Sequence, residues 1–235
     1  MRRLDDEADQ REYFDVADHQ YPRTAVVMPP RHTEVEGRNV LDRLDSARDD
    51  GRVLDFGAGT GRLSIALARA GYAVLAVDVS DRSLDVLRET AQQLRLPGIE
   101  TASALPEVGR FAAIVGTDVL HHVDLDVQLP RLHRLLRAGG KAVFSEPGAF
   151  NLAWYVYLAL FHDLRIERRI VTCNLVQLRR TFERHGFREI RITGLGLLPR
   201  PLFGWAHAAC RWHDSMGNWP LFRWFAYRYV IEASK

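Results

Sequence analysis

The 235-residue sequence is short of long apolar runs, of cysteine and of repetition. Its longest unbroken apolar stretch is ten residues, Leu152 to Phe161. A spanning helix needs about 20, so no segment is expected to cross a membrane. The first residues include Asp5, Asp6, Glu7 and Asp9 and lack an apolar h-region, so no secretory leader is expected there. Two cysteines, Cys173 and Cys210, make no disulfide framework and suit a reduced, cytoplasmic setting. No internal repeat or low-complexity stretch is present. With 47% apolar and 26% charged residues the composition is that of a globular chain, which excludes disordered and collagen-like classes.

The net charge of +2 is unevenly spread. Residues 151–235 hold 13 Lys/Arg and 6 Asp/Glu, a balance of +7, which leaves −5 for residues 1–150. All five tryptophans, Trp154, Trp205, Trp212, Trp219 and Trp224, also fall in the basic segment.

From Gly51 onward, short apolar runs alternate with helical periods. Strands are expected at 52–56, 73–77, 99–102, 111–116 and 141–145, with later ones at 187–192 and 222–231. Leu63, Ala66, Leu67 and Ala70 share a helix face; so do Leu84, Leu87, Ala91 and Leu94, behind a cap at Ser80 or Asp81. A short helix is expected over 129–136, because Pro130 is tolerated only in a first turn. Helices are also expected at 35–44, 152–161 and 206–213. Strands separated by helices imply an α/β fold: a mostly parallel, Rossmann-like sheet of seven strands with helices on both faces.

The segment Val53–Leu63 carries the chemistry. A strand runs into a turn with Gly57, Gly59 and Gly61, and a helix opens at once. Glycine serves where the backbone takes positive φ or a ligand approaches closely. Asp78, 17 residues after Gly61, ends the second strand, where a carboxylate accepts from ribose hydroxyls. A nicotinamide fingerprint, G-x-G-x-x-G, would need glycine at position 62, which is Arg62.

With Asp-Phe-Gly-Ala-Gly-Thr-Gly at 55–61, Ala76–Ser80, Val-Gly-Thr-Asp-Val-Leu-His-His-Val at 115–123 and Leu136–Pro147, the chain resembles the class I S-adenosylmethionine-dependent methyltransferases. The likeness is to their small-molecule, ubiquinone/menaquinone-type branch and runs through residues 50–195. It implies that Asp55, Gly57, Ala58 and Gly59 line the methionine end of the cofactor and that Gly61 lets the helix approach. Asp78 would take the ribose, Val79 the adenine flank, and Thr117 would lie near the methionine end. Two positions depart from the family pattern. Thr101–Pro106 has no carboxylate for the adenine amine, leaving Ser103 or a backbone group. Phe111-Ala112 replaces Phe-Asp.

His121 and His122 follow the fourth strand at the expected ligand edge. His122 is the first choice for a general base and His121 the second, beside a purely structural role for the pair. Asp118 and Glu146 end strands four and five at the same edge. His207, Cys210 and His213 step by three along a helix, so the outer pair diverges by about 120°; packing fits them better than a metal, and no metal is expected. Residues 1–50 are expected to form a helical lid, with Tyr13, Phe14, Tyr21 and Arg31 on the covering segment. Insertions at 148–171 and 197–221 would form an aromatic-rich acceptor pocket. There Trp154, Tyr155, Tyr157 and Phe161 suit an apolar or aromatic acceptor, and Arg165, Arg168, Arg169 and Arg200 an anionic group. Core or dimer packing is the plain alternative for these aromatics.

The expected activity is methyl transfer from S-adenosylmethionine to a small, largely apolar acceptor, O-methylation being preferred on account of the histidines. A cyclase or rearrangement enzyme on the same fold, and a non-catalytic binding module, are the alternatives. Nucleic acid is not an expected partner; peripheral membrane contact and a homodimer stay open.

Overall fold

The computed structural model describes residues 11–13, 15–16, 22–44, 51–161, 168–199, 202 and 206–235. Among the described residues, α1 (Arg23–Val27) and α2 (Arg31–Leu41) precede the sheet, after a helical stretch at 11–13. There follow β1 (Val53–Phe56), α3 (Arg62–Arg69), β2 (Val74–Val77), α4 (Asp81–Gln93), β3 (Ile99–Ala102) and β4 (Phe111–Thr117). Beyond a 3₁₀ turn at Leu120–His122 come α5 (Leu125–Leu135), β5 (Leu136–Pro147), α6 (Leu152–Phe161), a second 3₁₀ turn at Arg168–Thr172, α7 (Leu175–Arg184) and β6 (Arg188–Leu195). The chain ends with α8 (His207–Met216), a 3₁₀ turn at Phe222–Phe225 and β7 (Arg228–Ser234).

The seven strands lie in the order β3-β2-β1-β4-β5-β7-β6. All pairs are parallel except β5–β7 and β6–β7. Alternate residues of the central strands feed two cores. Leu54, Phe56, Ile114 and Phe144 pack toward α5 and α7, whose Leu129, Leu132, Leu178 and Phe182 are buried there. Val53, Ala113, Val115 and Val143 face the other layer, with Leu63, Leu67, Leu84 and Leu87 of α3 and α4 and with Val40 of α2. The apolar run of each strand is thus used on both faces. Strand order reverses between β1 and β4, and the crevice outside their carboxyl ends is where such sheets bind ligands.

Several boundaries differ from expectation: α2 runs from Arg31 to Leu41 rather than over 35–44, and β6 runs from Arg188 to Leu195 rather than over 187–192; three further shifts have a local cause. Helix α5 begins at Leu125, four residues before Leu129, because the Asp124 side chain accepts the Asp126 N–H at 3.0 Å and caps it. Pro130 therefore sits in the second turn, not the first. Strand β5 starts at Leu136, which pairs with Phe111, and runs through Gly139-Gly140 with a register irregularity opposite Phe111/Ala113. Gly139 supplies the left-handed residue (φ 71°) that the irregularity needs. Strand β7 starts at Arg228 rather than Phe222. The Tyr229 hydroxyl donates to the carbonyls of Arg223 and Trp224, at 2.8 and 2.9 Å, and holds 222–225 as a turn.

Candidate functional site

The turn after β1 is built from its own backbone. The N–H groups of Gly57 and Ala58 both donate to Val77 O, at 2.8 and 3.0 Å, and Gly61 N–H donates to Ala58 O. Gly57, Gly59 and Gly61 all have positive φ, at 74°, 51° and 96°. Their surroundings separate their roles. A Cβ on Gly57 would overlap Val119, and one on Gly61 would overlap Leu87, so these two are glycine because β4's turn and α4 pack on them. A Cβ on Gly59 would meet nothing within 4 Å. The turn therefore presents an open face at Gly59.

Asp55, the third residue of β1, is buried beneath this turn. Its Oδ2 accepts from the Ser64 hydroxyl at 2.6 Å, whereas its Oδ1 has no hydrogen-bond partner among the described residues. Burial pushes its pKa up to about 7 although the Ser64 hydroxyl opposes the shift. A buried carboxylate oxygen left without a donor is costly, so the group is built for a cationic or N–H-bearing partner.

Asp78, at the end of β2, closes the turn from above. Its Oδ2 accepts Gly59 N–H at 2.7 Å and its Oδ1 accepts Ser80 N–H at 2.9 Å. Burial raises its pKa, against those two hydrogen bonds. Val79 beside it is half-buried. Ser103 is exposed just past β3, one residue after Ala102, whose carbonyl accepts Asp78 N–H. Thr117, the last residue of β4, is half-buried. From the amino-terminal region, Asp15 reaches the same corner: the Ser80 hydroxyl donates to its Oδ1 at 2.6 Å.

The turn after β4 carries the second group of candidates. Asp118 is left-handed (φ 56°), an uncommon state for a non-glycine residue. Glu146, fully buried at the end of β5, accepts the N–H groups of Val119 and Leu120 on Oε1, at 3.0 and 2.9 Å. Its Oε2 lies 2.7 Å from His121 Nδ1 and 3.9 Å from Cys173 Sγ. These neighbours assign the proton of that contact to Nδ1, with Glu146 as acceptor throughout. Two donors bound to one tetrahedral zinc would stand about 3.3 Å apart, so 2.7 Å is the spacing of a hydrogen bond. Burial pushes the Cys173 thiol up to about 11, so it stays protonated. His121 is buried, and His122, half-buried, lies against it with ring centroids 4.0 Å apart.

One constellation was not legible beforehand. Asp118 accepts from Arg62 at 2.8 Å and from Arg228 at 2.6 Å. Glu36 of α2 lies 2.8 Å from Arg228 Nε and 3.5 Å from Arg62 Nη1. Burial alone would raise the Asp118 pKa, but Arg228 and Arg62 overturn that and hold it well below the usual carboxylate range. Arg228 also donates to Ser145 O and stands 5.8 Å over the Trp154 ring. Two carboxylates and two guanidiniums thus tie α2, the start of α3, the β4 turn and β7 together.

Of the expected acceptor-pocket residues, Trp154 stacks on Tyr227 (4.7 Å, 6°) and donates its Nε1–H to Tyr227 O. Tyr155 donates to Ala149 O at 2.6 Å. Phe14, Tyr21, Arg165, Arg200 and Trp205 lie outside the described residues, and so do the side chains of Tyr157, Phe161, Arg168 and His207. In the H-x-x-C-x-x-H segment, Cys210 is buried and His213 Nε2 accepts the N–H groups of Leu197 and Leu198, at 2.9 and 3.1 Å.

A family model described as a methyltransferase domain matches residues 31–191. The chain belongs to that family. An uncharacterized methyltransferase of Mycobacterium bovis is 38% identical to this methyltransferase-domain protein over 91 residues, 38% of this chain and 37% of that one. A ubiquinone biosynthesis O-methyltransferase of Xanthomonas oryzae pv. oryzae is 38% identical over 125 residues, 48% of this chain and 51% of that one. The matched segment thus spans from about a third to about half of these relatives' length. Among solved structures, geranyl diphosphate C-methyltransferase from Streptomyces coelicolor, in complex with Mg2+, geranyl diphosphate and S-adenosyl-L-homocysteine, has a TM-score of 0.66. It is 17% identical, over 100% of this chain and 99% of that chain. A Haemonchus contortus phosphoethanolamine N-methyltransferase in complex with S-adenosyl-L-methionine has a TM-score of 0.64 at 18% identity, over 96% of this chain and 59% of that chain. These likenesses concern the fold.

Proposed function

We propose that the protein transfers a methyl group from S-adenosylmethionine to a hydroxyl of a small, largely apolar or aromatic acceptor. The observation that carries the cofactor assignment is the partnerless Oδ1 of buried Asp55 beneath the open face at Gly59. An ammonium group satisfies that oxygen and draws the carboxyl into its charged form. Asp78 retains acceptor capacity for ribose hydroxyls, with Val79 and Ser103 flanking the adenine and Thr117 the methionine end. When bound, S-adenosylmethionine supplies an electrophilic methyl group. Asp15 on Ser80, and Glu36 in the charge cluster, support an N-terminal segment that covers this site.

His122 is the proposed base for the acceptor hydroxyl, since it is the more accessible of the pair. His121 and Glu146 are positioning groups: Glu146 holds His121 and the backbone of the turn, and His121 supports the neighbouring ring. The residues of 148–171 and 197–221 would enclose the acceptor and hold its hydroxyl in line with the methyl group.

The test is turnover with a panel of phenolic and quinol acceptors, read as S-adenosylhomocysteine formed per methylated product. We expect His122→Ala to lower kcat about 10²–10⁴-fold at pH 7, with recovery as pH approaches the acceptor's own pKa. Near-native turnover in that variant would assign the histidine to packing. Product without S-adenosylhomocysteine would replace methyl transfer by a cyclisation or rearrangement.

A further inference from the structure

S-adenosylmethionine ends in an amino acid, so its methionine end carries two charges, an ammonium and a carboxylate, a few ångströms apart. Asp55 answers only the first. The glycine turn does not offer its N–H groups to the second. Those of Gly57 and Ala58 both donate to Val77 O, that of Gly61 to Ala58 O, and that of Gly59 to Asp78 Oδ2. A carboxylate set down beside charged Asp55 without a cation would be repelled by it. The partner of that anion must therefore stand within an amino acid's span of Asp55.

Arg62 meets this condition. It opens α3 directly after Gly61, and Ser64, in the same turn of helix, donates its hydroxyl to Asp55 Oδ2 at 2.6 Å. From there the Arg62 guanidinium reaches the β4 turn, where its Nη2 donates to Asp118 Oδ2 at 2.8 Å. The next residue, Val119, is the one that a Cβ on Gly57 would overlap. Arg62 thus links the start of α3 to the β4 turn across the crevice where strand order reverses. Its charge also acts on Asp55, lowering the carboxyl pKa against burial.

The two arginines of the charge cluster are not equivalent. The Arg228 side chain is 4% exposed and is committed to Asp118, Glu36 and Ser145 O. That of Arg62 is 23% exposed, and its Nη1 lies 3.5 Å from Glu36 Oε2, beyond the roughly 3.2 Å of a well-formed N–H···O bond. A guanidinium can keep one carboxylate on one nitrogen and take a second on another edge of its fork.

We propose that Arg62 receives the carboxylate of the cofactor's methionine end while keeping Asp118, so that Asp55 and Arg62 together bind the zwitterion. The assignment rests on the cofactor reading above and supplies its anionic half. The ligand's carboxylate then joins the cluster that holds α2 through Glu36.

The experiment is calorimetric titration of the full chain at pH 8.5, where Asp55 is charged. The two ligands are S-adenosylhomocysteine and its decarboxylated analogue S-adenosyl-3-thiopropylamine, which keeps the ammonium. Wild type should prefer S-adenosylhomocysteine about ten- to a hundredfold, the worth of hydrogen bonds to a charged group. In Arg62→Met that preference should vanish, and in Arg62→Lys, which keeps the charge but not the fork, it should be reduced. Ligand and variant form a double-mutant cycle, so a loss common to both ligands drops out to within about twofold. Circular dichroism reports whether each variant is folded; if Arg62→Met is not, Arg62→Lys carries the test. Asp55→Asn should weaken both ligands and leave their ratio unchanged. A ratio equal to wild type in the folded Arg62 variants, or equal binding of both ligands by wild type, overturns the proposal and leaves Arg62 a strut of the cluster. A ratio lost in Arg62→Met beside wild-type binding in Asp55→Asn supports the Arg62 assignment and removes that of Asp55. Wild type that binds neither ligand overturns both.

Discussion

The turn after β1 and the segment around 219–225 are both loops at the ends of strands, yet they use side chains in opposite ways. The glycine turn removes side chains: Gly57 and Gly61 are filled by Val119 and Leu87 from other elements, and only Gly59 stays open. The 219–225 segment sets large side chains outward and is held by its backbone, through the Tyr229 hydroxyl and the Asn151 amide. In the first case the backbone conformation dictates the residue type, so the sequence announces the geometry. In the second the same side chains would fit a core, a pocket or a surface, and only the packing of distant elements decides which.

The charge cluster joins these two regions, and breaking it should have the largest effect. Arg228→Met leaves Asp118 and Glu36 with one guanidinium between them. Removing one partner of a buried pair costs about 3–5 kcal/mol. Urea unfolding should show a loss of that order, with Arg228→Lys recovering part of it. A loss within ~0.5 kcal/mol, the range of an ordinary surface change, would mean that the two halves are not coupled there.

A finer division separates the glycines. Gly61→Ala places a methyl group against Leu87 at positive φ, and should cost about 2–4 kcal/mol from strain and overpacking together. Gly59→Ala carries only the left-handed penalty, about 1–2 kcal/mol, and should lose cofactor affinity out of proportion to stability. Paired urea melts and ligand titrations check this. Equal losses of stability in the two variants would remove the distinction between a packing glycine and a ligand-facing one.

Much of the sheet was legible because β1, β2 and β4 are short, mostly apolar runs bounded by glycine or a helix cap. Asp55, Gly57–Gly61, Asp78 and the histidine pair were legible as a local pattern. Two kinds of feature were not. Helix α5 was read too short because Pro130 was assigned to the first turn, whereas Asp124 supplies a cap six residues earlier that keeps the helix together. Arg62, Asp118, Glu36 and Arg228 meet across as many as 192 positions of chain, and no spacing rule connects them. The start of β7 was misplaced for a related reason. Phe222–Phe225 has the composition of a strand, but the Tyr229 hydroxyl bends it into a turn.

The central claim, that Asp55 beneath Gly59 receives the ammonium of the cofactor, has a direct measurement: calorimetric titration of S-adenosylhomocysteine into wild type and Asp55→Asn between pH 5.5 and 8.5. Burial raises the Asp55 pKa to about 7 in the free protein, so the carboxyl is charged above that value and neutral below it. An ammonium binds the charged form. Wild-type affinity should therefore be constant at alkaline pH and fall toward tenfold per unit below pH 7. In Asp55→Asn, binding should be weaker by tenfold or more at pH 8, and the dependence near pH 7 should flatten. Wild-type affinity that does not change between pH 6 and 8, with Asp55→Asn binding equally well, would contradict the account and place the cofactor elsewhere.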